Sequence, residues 1–164
     1  KDTTGIVIAA RNGYVQEMLR RQGENGQLRK YYLAAVSPPP SPLSGKIDAP
    51  ILRDRESIIK RKVSEEGARA VTHYRTLSCR EDYAVVEFLL ETGRTHQIRV
   101  HCSHAGFPII GDTLYGTETV PPRAPHQLLH AYKTELIHPV TGEALAFTAP
   151  LPQEWGRYAP HTWP

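Results

Sequence analysis

Between Glu91 and Gly116 the chain reads ETGRTHQIRVHCSHAGFPIIGDTLYG, a span with two arginines, three histidines and a Gly-Asp turn. Side chains of these types hold anions, move protons or ligate metals. A metal centre would draw on His96, His101, Cys102 and His104, which lie closest together. Zinc ligands on a helix need i,i+3 or i,i+4 spacing and a further ligand elsewhere. Only His101 and His104 have that spacing, the chain contains neither an HExxH nor a CxxC pair, and Arg99 would lie beside the cation. The pattern argues against a metal. Cys102 is no better as a nucleophile, because it falls four residues after Ile98 on an apolar stripe and reads as a small core residue. Recognition of an anion is the chemistry these residues fit.

To act together they must be held by a strand and a helix. The alternating run Tyr83 to Leu90 reads as a strand, Gly93 as the turn that ends it, and Thr95 as the N-cap of the helix that follows. On that helix His96 and Arg99 stand three apart and share a face, while Ile98 and Cys102 share another. The free amides of the first turn and the positive end of the helix dipole would then point toward an anion.

The rest of the chain supplies further elements. Gly5 to Ala10, with Ile6-Val7-Ile8 and no polar alternation, predicts a strand buried on both faces. Tyr14 to Gln22 has helical spacing, closed by Gly23 and Asn25-Gly26. Arg29 to Val36 reads as a strand with Tyr32 on one face and Tyr31 and Leu33 on the other. Ser37-Pro38-Pro39-Pro40-Ser41-Pro42 predicts an exposed, extended connector. Short strands at Gly45 to Ile47 and Ile58 to Val63 flank the charged turn Arg53-Asp54-Arg55-Glu56. Ala68 to Leu77 puts Ala70, Thr72, Tyr74 and Thr76 on one face, and a hairpin at Arg80-Glu81-Asp82 joins it to Tyr83 to Leu90. Gln127 to Leu136 and Ala144 to Phe147 read as the last two strands.

A length of 164 residues suits one domain, and no apolar run reaches the ~20 residues of a membrane span. Two distant cysteines are no disulfide framework, which points to a reducing, intracellular and cytoplasmic setting. The net charge of +3 hides an asymmetry: residues 1–62 carry 12 Lys and Arg against 6 Asp and Glu, and the remainder carries 8 against 11. The basic half is the candidate anion-facing surface.

The segment Gly93-Arg94-Thr95-His96-Gln97-Ile98-Arg99-Val100-His101, followed by Gly106-Phe107-Pro108-Ile109-Ile110-Gly111-Asp112-Thr113-Leu114-Tyr115-Gly116, resembles the signature of the RluA-like pseudouridine synthases, with Phe107 where histidine is common. Lys30-Tyr31-Tyr32 is similar to the family's Lys-x-Tyr strand, and Leu129-His130-Ala131 with His138-Pro139-Val140-Thr141-Gly142-Glu143 to its closing strands. The resemblance runs from Lys1 to about Pro152. It implies an α+β fold with a mixed, mostly antiparallel sheet and flanking helices over residues 1–152, with a motif-free tail at 153–164.

It also implies isomerisation of uridine to pseudouridine in structured RNA, ribosomal or transfer, without cofactor or metal. That reaction requires the nucleotide to be flipped out, its N-glycosidic bond cleaved, and the base turned and rejoined through carbon. A carboxylate, a cation that keeps it ionised, and an aromatic beside the base are sufficient. The resemblance assigns the cation to Arg99 and the aromatic to Tyr32, with Arg94, His96, Gln97 and Lys30 as contacts to the RNA. Arg99 is expected to project into the main cleft, exposed to solvent or paired with a substitute anion, where its removal costs at most ~1–2 kcal/mol of stability. The family's aspartate lies in a His-Arg-Leu-Asp segment two residues before Thr-Thr-Gly, and Thr3-Thr4-Gly5 sets that register. The nucleophile is therefore expected immediately before Lys1. Asp2 is two positions late, ~7 Å along an extended chain. This register makes the chain as given a catalytic domain without its nucleophile; the rival reading is a noncatalytic RNA-binding module.

Overall fold

A computed structural model describes residues 2–116 and 124–158, apart from the side chain of Arg157. In chain order the elements are β1 (Thr4–Gly5), α1 (Gly13–Glu24), β2 (Arg29–Val36), β3 (Ser44–Asp48), β4 (Ile51–Arg53), β5 (Arg61–Val63), β6 (Val71–Cys79), β7 (Ala84–Leu90), α2 (Gln97–His104), β8 (Leu129–Ile137) and β9 (Ala144–Thr148), closed by a 3-10 segment at Gln153–Tyr158. Seven strands form one sheet in the order β1-β8-β2-β7-β6-β3, with β9 also on β8. Only β1 runs parallel to its neighbour; every other pairing is antiparallel. The expected α+β architecture is the one observed.

Alternation along β2 and β7 divides the core between the two faces of the sheet. One face carries Tyr32, Ala34, Val36, Val86 and Phe88 and is covered by Ile98 and Cys102 of α2 with Phe107 and Ile109. The other carries Leu33, Ala35, Val85 and Tyr132 beneath Trp155 and Tyr158. The closing segment, which carries no sequence motif, thus supplies a tryptophan only 1% exposed. β4 and β5 pair as a separate two-stranded ribbon.

Helix α1 begins one residue earlier than its apolar spacing suggests, because Asn12 caps it. The Val15 amide donates to Asn12 Oδ1 at 2.9 Å, one of the first-turn donors that no helical carbonyl can satisfy. Asn12→Ala should therefore lower stability by about 1 kcal/mol in urea denaturation, whereas Asn12→Asp should cost less. At its far end Gln22, the buried residue of this helix, receives the Ile137 amide at 2.9 Å and donates to the Ile137 carbonyl at 2.6 Å, fixing α1 to β8.

Three expectations are corrected. The run after Gly5 is not a strand buried on both faces: pairing ends at Gly5, and Val7 is 86% exposed. β1 is an edge element, paired with β8 alone among the described strands. The proline-rich connector is not wholly exposed, since Ser37 and Pro40 are buried and Ser37 Oγ donates to the Asp82 carbonyl at 2.6 Å. It is also not uniformly extended polyproline, because the Ser37–Pro38 and Ser41–Pro42 peptides are cis. The strand expected from Ile58 to Val63 begins only at Arg61, leaving Ile58 and Ile59 in the ribbon's turn.

Candidate active site

α2 starts one residue later than expected. Its N-cap is His96, in the left-handed region at φ 58°, and His96 makes no side-chain capping bond. Gln97 explains the shift. Its Oε1 accepts from the Arg94 amide at 2.9 Å and from the Thr92 hydroxyl at 2.8 Å, and its Nε2 donates to the Val71 carbonyl at 3.0 Å and to Thr72 Oγ1 at 2.9 Å. One buried amide thus organises the turn after β7 and fastens it to β6. With both hydrogens and both lone pairs occupied inside the protein, Gln97 has nothing left to offer a ligand in this arrangement.

Arg99 is paired with an anion of this chain rather than exposed to solvent. It is 8% exposed and forms a two-pronged pair with Asp112: Nε donates to Oδ2 and Nη2 to Oδ1, each at 2.7 Å. Asp112 Oδ1 also accepts the amides of Leu114 and Tyr115 at 2.9 and 3.0 Å. Burial alone would raise the Asp112 pKa, but the Arg99 hydrogen bonds and charge and the two amides outweigh it and hold the carboxyl below its ordinary value. For Arg99, burial opposes the charge and Asp112 more than restores it. The Tyr115 ring lies under the guanidinium, 5.1 Å from its carbon. Arg99 Nη1 makes no hydrogen bond among the described residues.

His96 stands beside this pair, with Nδ1 2.8 Å from Tyr115 Oη and its ring edge-on to the tyrosine at 5.6 Å. Burial and the nearby Arg99 and Arg61 lower its pKa. Tyr32 lies on the α2-covered face, half-buried, in the cluster that includes Ile98, the residue before Arg99. Burial raises its phenol pKa, and the hydroxyl makes no hydrogen bond among the described residues. Tyr32 also shares a register row with β1, since Ala131 pairs with both Tyr32 and Gly5. Lys30 is exposed at the start of β2, with no ion pair among the described residues. Arg94 is exposed too, and its Nε donates to the Arg69 carbonyl at 3.0 Å.

Lys1, beside which the nucleophile is expected, lies outside the described residues. Asp2 is described, and its negative charge is one of those that help keep Arg99 protonated. Asp2 at φ 64° and His96 at φ 58° are the non-glycine residues with positive φ among those described. Such conformations persist only where the surroundings enforce them. Both lie close enough to Arg99 for its charge to act on them or theirs on it.

Asp112, Tyr115, Thr4 and His130 are structural partners of the site that the sequence reading did not single out. The first two had a signal: an aspartate followed by three residues in a turn often accepts the second and third amides, as here. His130 had none beyond its motif. Its Nδ1 lies 2.8 Å from Thr4 Oγ1 and its Nε2 3.3 Å from the Ala149 carbonyl, and it clips β1 to β8. Of the metal candidates, His101 is wholly buried with Nδ1 at 2.9 Å from Thr72 Oγ1 and Nε2 at 2.9 Å from the Ala49 carbonyl. Among the described residues no three potential ligands converge, and no helix is long and apolar enough to cross a membrane.

Comparison with known proteins gives this geometry its context. A family model described as RNA pseudouridylate synthase matches residues 1–104. An uncharacterized RNA pseudouridine synthase, YjbO of Bacillus subtilis, is 41% identical over 157 residues, covering 96% of this chain and 55% of the relative. The ribosomal large subunit pseudouridine synthase D of Xanthomonas campestris is 38% identical over 169 residues, covering 96% of this chain and 51% of the relative. The chain thus spans about half the length of the curated relatives it matches. Among solved structures, human RNA pseudouridylate synthase domain containing 4 superposes with a TM-score of 0.70 at 25% identity, over 89% of this chain and 68% of that one. The chain therefore belongs to the RluA-like family of RNA pseudouridine synthases.

Proposed function

We propose that the full-length protein isomerises uridine to pseudouridine in structured RNA inside the cell, with an aspartate just upstream of Lys1 as nucleophile. The observation that carries this reading is the state of Arg99. Asp112 and the Tyr115 ring fix its guanidinium from two sides, and Nη1 is left without a partner among the described residues. A cation held in this way can take a second carboxylate and keep it ionised without reorganising. The charge of Asp2 acts on Arg99, which supports the approach of the chain upstream of Asp2 to the same place. Tyr32 would stack on the flipped base, a contact worth on the order of 1–3 kcal/mol. Lys30 and Arg94 would hold phosphates, and Gln97 would act by positioning α2.

The printed names of several relatives specify the ribosomal large subunit, which favours ribosomal RNA as the substrate class. Residues 1–164 by themselves would bind RNA weakly and isomerise nothing. The test is to map pseudouridine in RNA from cells with and without the full-length gene. Loss of modification at one or a few uridines is expected. If no site is lost and the purified protein binds RNA without converting uridine, the noncatalytic RNA-binding reading replaces this one.

A further inference from the structure

Tyr115 has a hydroxyl that the chemistry proposed above does not use. Its oxygen receives the backbone N–H of Arg61, from β5, at 2.9 Å and lies 2.8 Å from His96 Nδ1. An amide N–H can only donate, so the oxygen is the acceptor toward Arg61. The single phenolic hydrogen then has one acceptor within reach among the described residues, His96 Nδ1. With the phenol hydrogen given to that acceptor, Nδ1 carries none and a neutral imidazole has its hydrogen on Nε2. Nε2 makes no hydrogen bond among the described residues, and it is not among their sealed, unsatisfied polar atoms.

The surroundings favour the neutral ring. Among the described residues, the charged groups facing His96 are Arg99 from α2, Arg61 from β5 and Asp112 from the following turn, and the two arginines together with burial outweigh the aspartate. The backbone beneath the ring is also unusual: His96 holds φ 58°, a left-handed conformation uncommon for a non-glycine residue.

We infer that Tyr115 is a positioning residue that locks His96 as a neutral Nε2–H donor at the mouth of the site, where it gives a hydrogen bond to an oxygen of the target nucleotide. The same hydroxyl ties that donor to the β4–β5 ribbon, so the placement of the ribbon and the orientation of His96 are set together. The identity of the substrate rests on the uridine-isomerising reading; the tautomer does not.

The test uses the full-length protein, 15N-labelled, and long-range 1H–15N correlation of the His96 ring at pH 7. The expected pattern is a protonated Nε2 and an accepting Nδ1. Tyr115→Phe keeps the ring under Arg99 and removes only the hydroxyl, so it should move the two nitrogens toward a tautomer average. In RNA isomerisation the same variant should lower kcat/KM about 10-fold to 100-fold. It should also shift the acid limb of the pH profile upward, because the lost phenol hydrogen bond favoured the neutral ring. His96→Gln, which retains an N–H donor, should keep much of the activity and remove the response to Tyr115→Phe. If the effect of His96→Ala on binding persists with cytidine at the target position, the acceptor is a backbone oxygen or the O2 carbonyl that both bases carry; if it requires uridine, the acceptor is the uracil O4 carbonyl. A protonated Nδ1 in the parent protein, or unchanged ring shifts in Tyr115→Phe, overturns the lock. Altered shifts with an unchanged kcat/KM overturn its role toward the nucleotide. A protein with the expected tautomer that makes no pseudouridine overturns the functional reading and leaves the lock standing.

Discussion

Arg99→Ala is expected to abolish isomerisation by the full-length protein and to cost about 3–5 kcal/mol of stability at pH 7. The second effect comes from Asp112, whose side chain is 1% exposed and would be left as a buried charge with only two backbone amides to satisfy it. The sequence alone suggested a much smaller loss, because an arginine in a cleft is normally solvated, and the structure revises that figure. The pH dependence follows from the depressed Asp112 pKa. The pair's contribution is fully present above the carboxyl's ordinary value of 3.8 and is lost as pH falls through the lower folded value. The stability difference between parent and variant should therefore be largest near neutrality and shrink below about pH 4. Urea denaturation at pH 7 and pH 3 measures this directly. Replacing the pair together, as Arg99→Met with Asp112→Asn, which keeps an acceptor for the Leu114 and Tyr115 amides, should recover part of the stability and none of the activity. Such a double variant separates chemistry from folding. An Arg99→Ala protein that converts uridine at the parental rate would remove Arg99 from the mechanism.

What the sequence made legible depends on how local the determining physics is. The span of β2 followed from eight residues of alternation and was found unchanged. The placing of Thr72 and Tyr74 on one face followed from the same rule, since Thr72 meets Gln97 of α2 and Tyr74 meets Phe107 just beyond that helix. The start of α2 was misplaced because Thr95 looks like a cap by residue type, while the turn before the helix is organised by Gln97, whose role depends on β6, about 25 residues away in sequence. The burial of Arg99 was missed for a related reason. Its partner stands 13 residues downstream across a loop, and neither residue type nor spacing encodes that approach. The short extent of β1 is likewise a property of its neighbour, since an apolar run becomes a buried strand only if something covers both sides. Trp155 had a plain cue, as a large aromatic close to the chain's end, but no periodicity to place it.

Gly5→Ala should separate β1 from the sheet and reduce isomerisation by about 10²-fold or more, if the upstream segment carries a reacting group as proposed. Gly5 has φ 97°, and a Cβ built there would fall 2.2 Å from the Ala131 carbonyl oxygen and 2.7 Å from its carbon. Those atoms belong to β8, which is paired with β2 on its other side, so the backbone cannot give way cheaply. Three contacts depend on the close approach: the Ile6 amide donates to the Ala131 carbonyl at 2.9 Å, Thr4 Oγ1 meets His130 Nδ1 at 2.8 Å, and Gly5 pairs with Ala131. Losing them should leave the main core intact, because β1 contributes no side chain to either of its large clusters. Gly26→Ala is the matched control. It has φ 77° and nothing within 4 Å of the added carbon, so it carries the conformational strain without the clash. Amide exchange should show Ile6 deprotected in Gly5→Ala and unchanged in Gly26→Ala, with activity following the same division. If Gly5→Ala keeps both the protection of Ile6 and the parental rate, then β1 does not place the upstream chain at Arg99, and the nucleophile must reach the site from elsewhere.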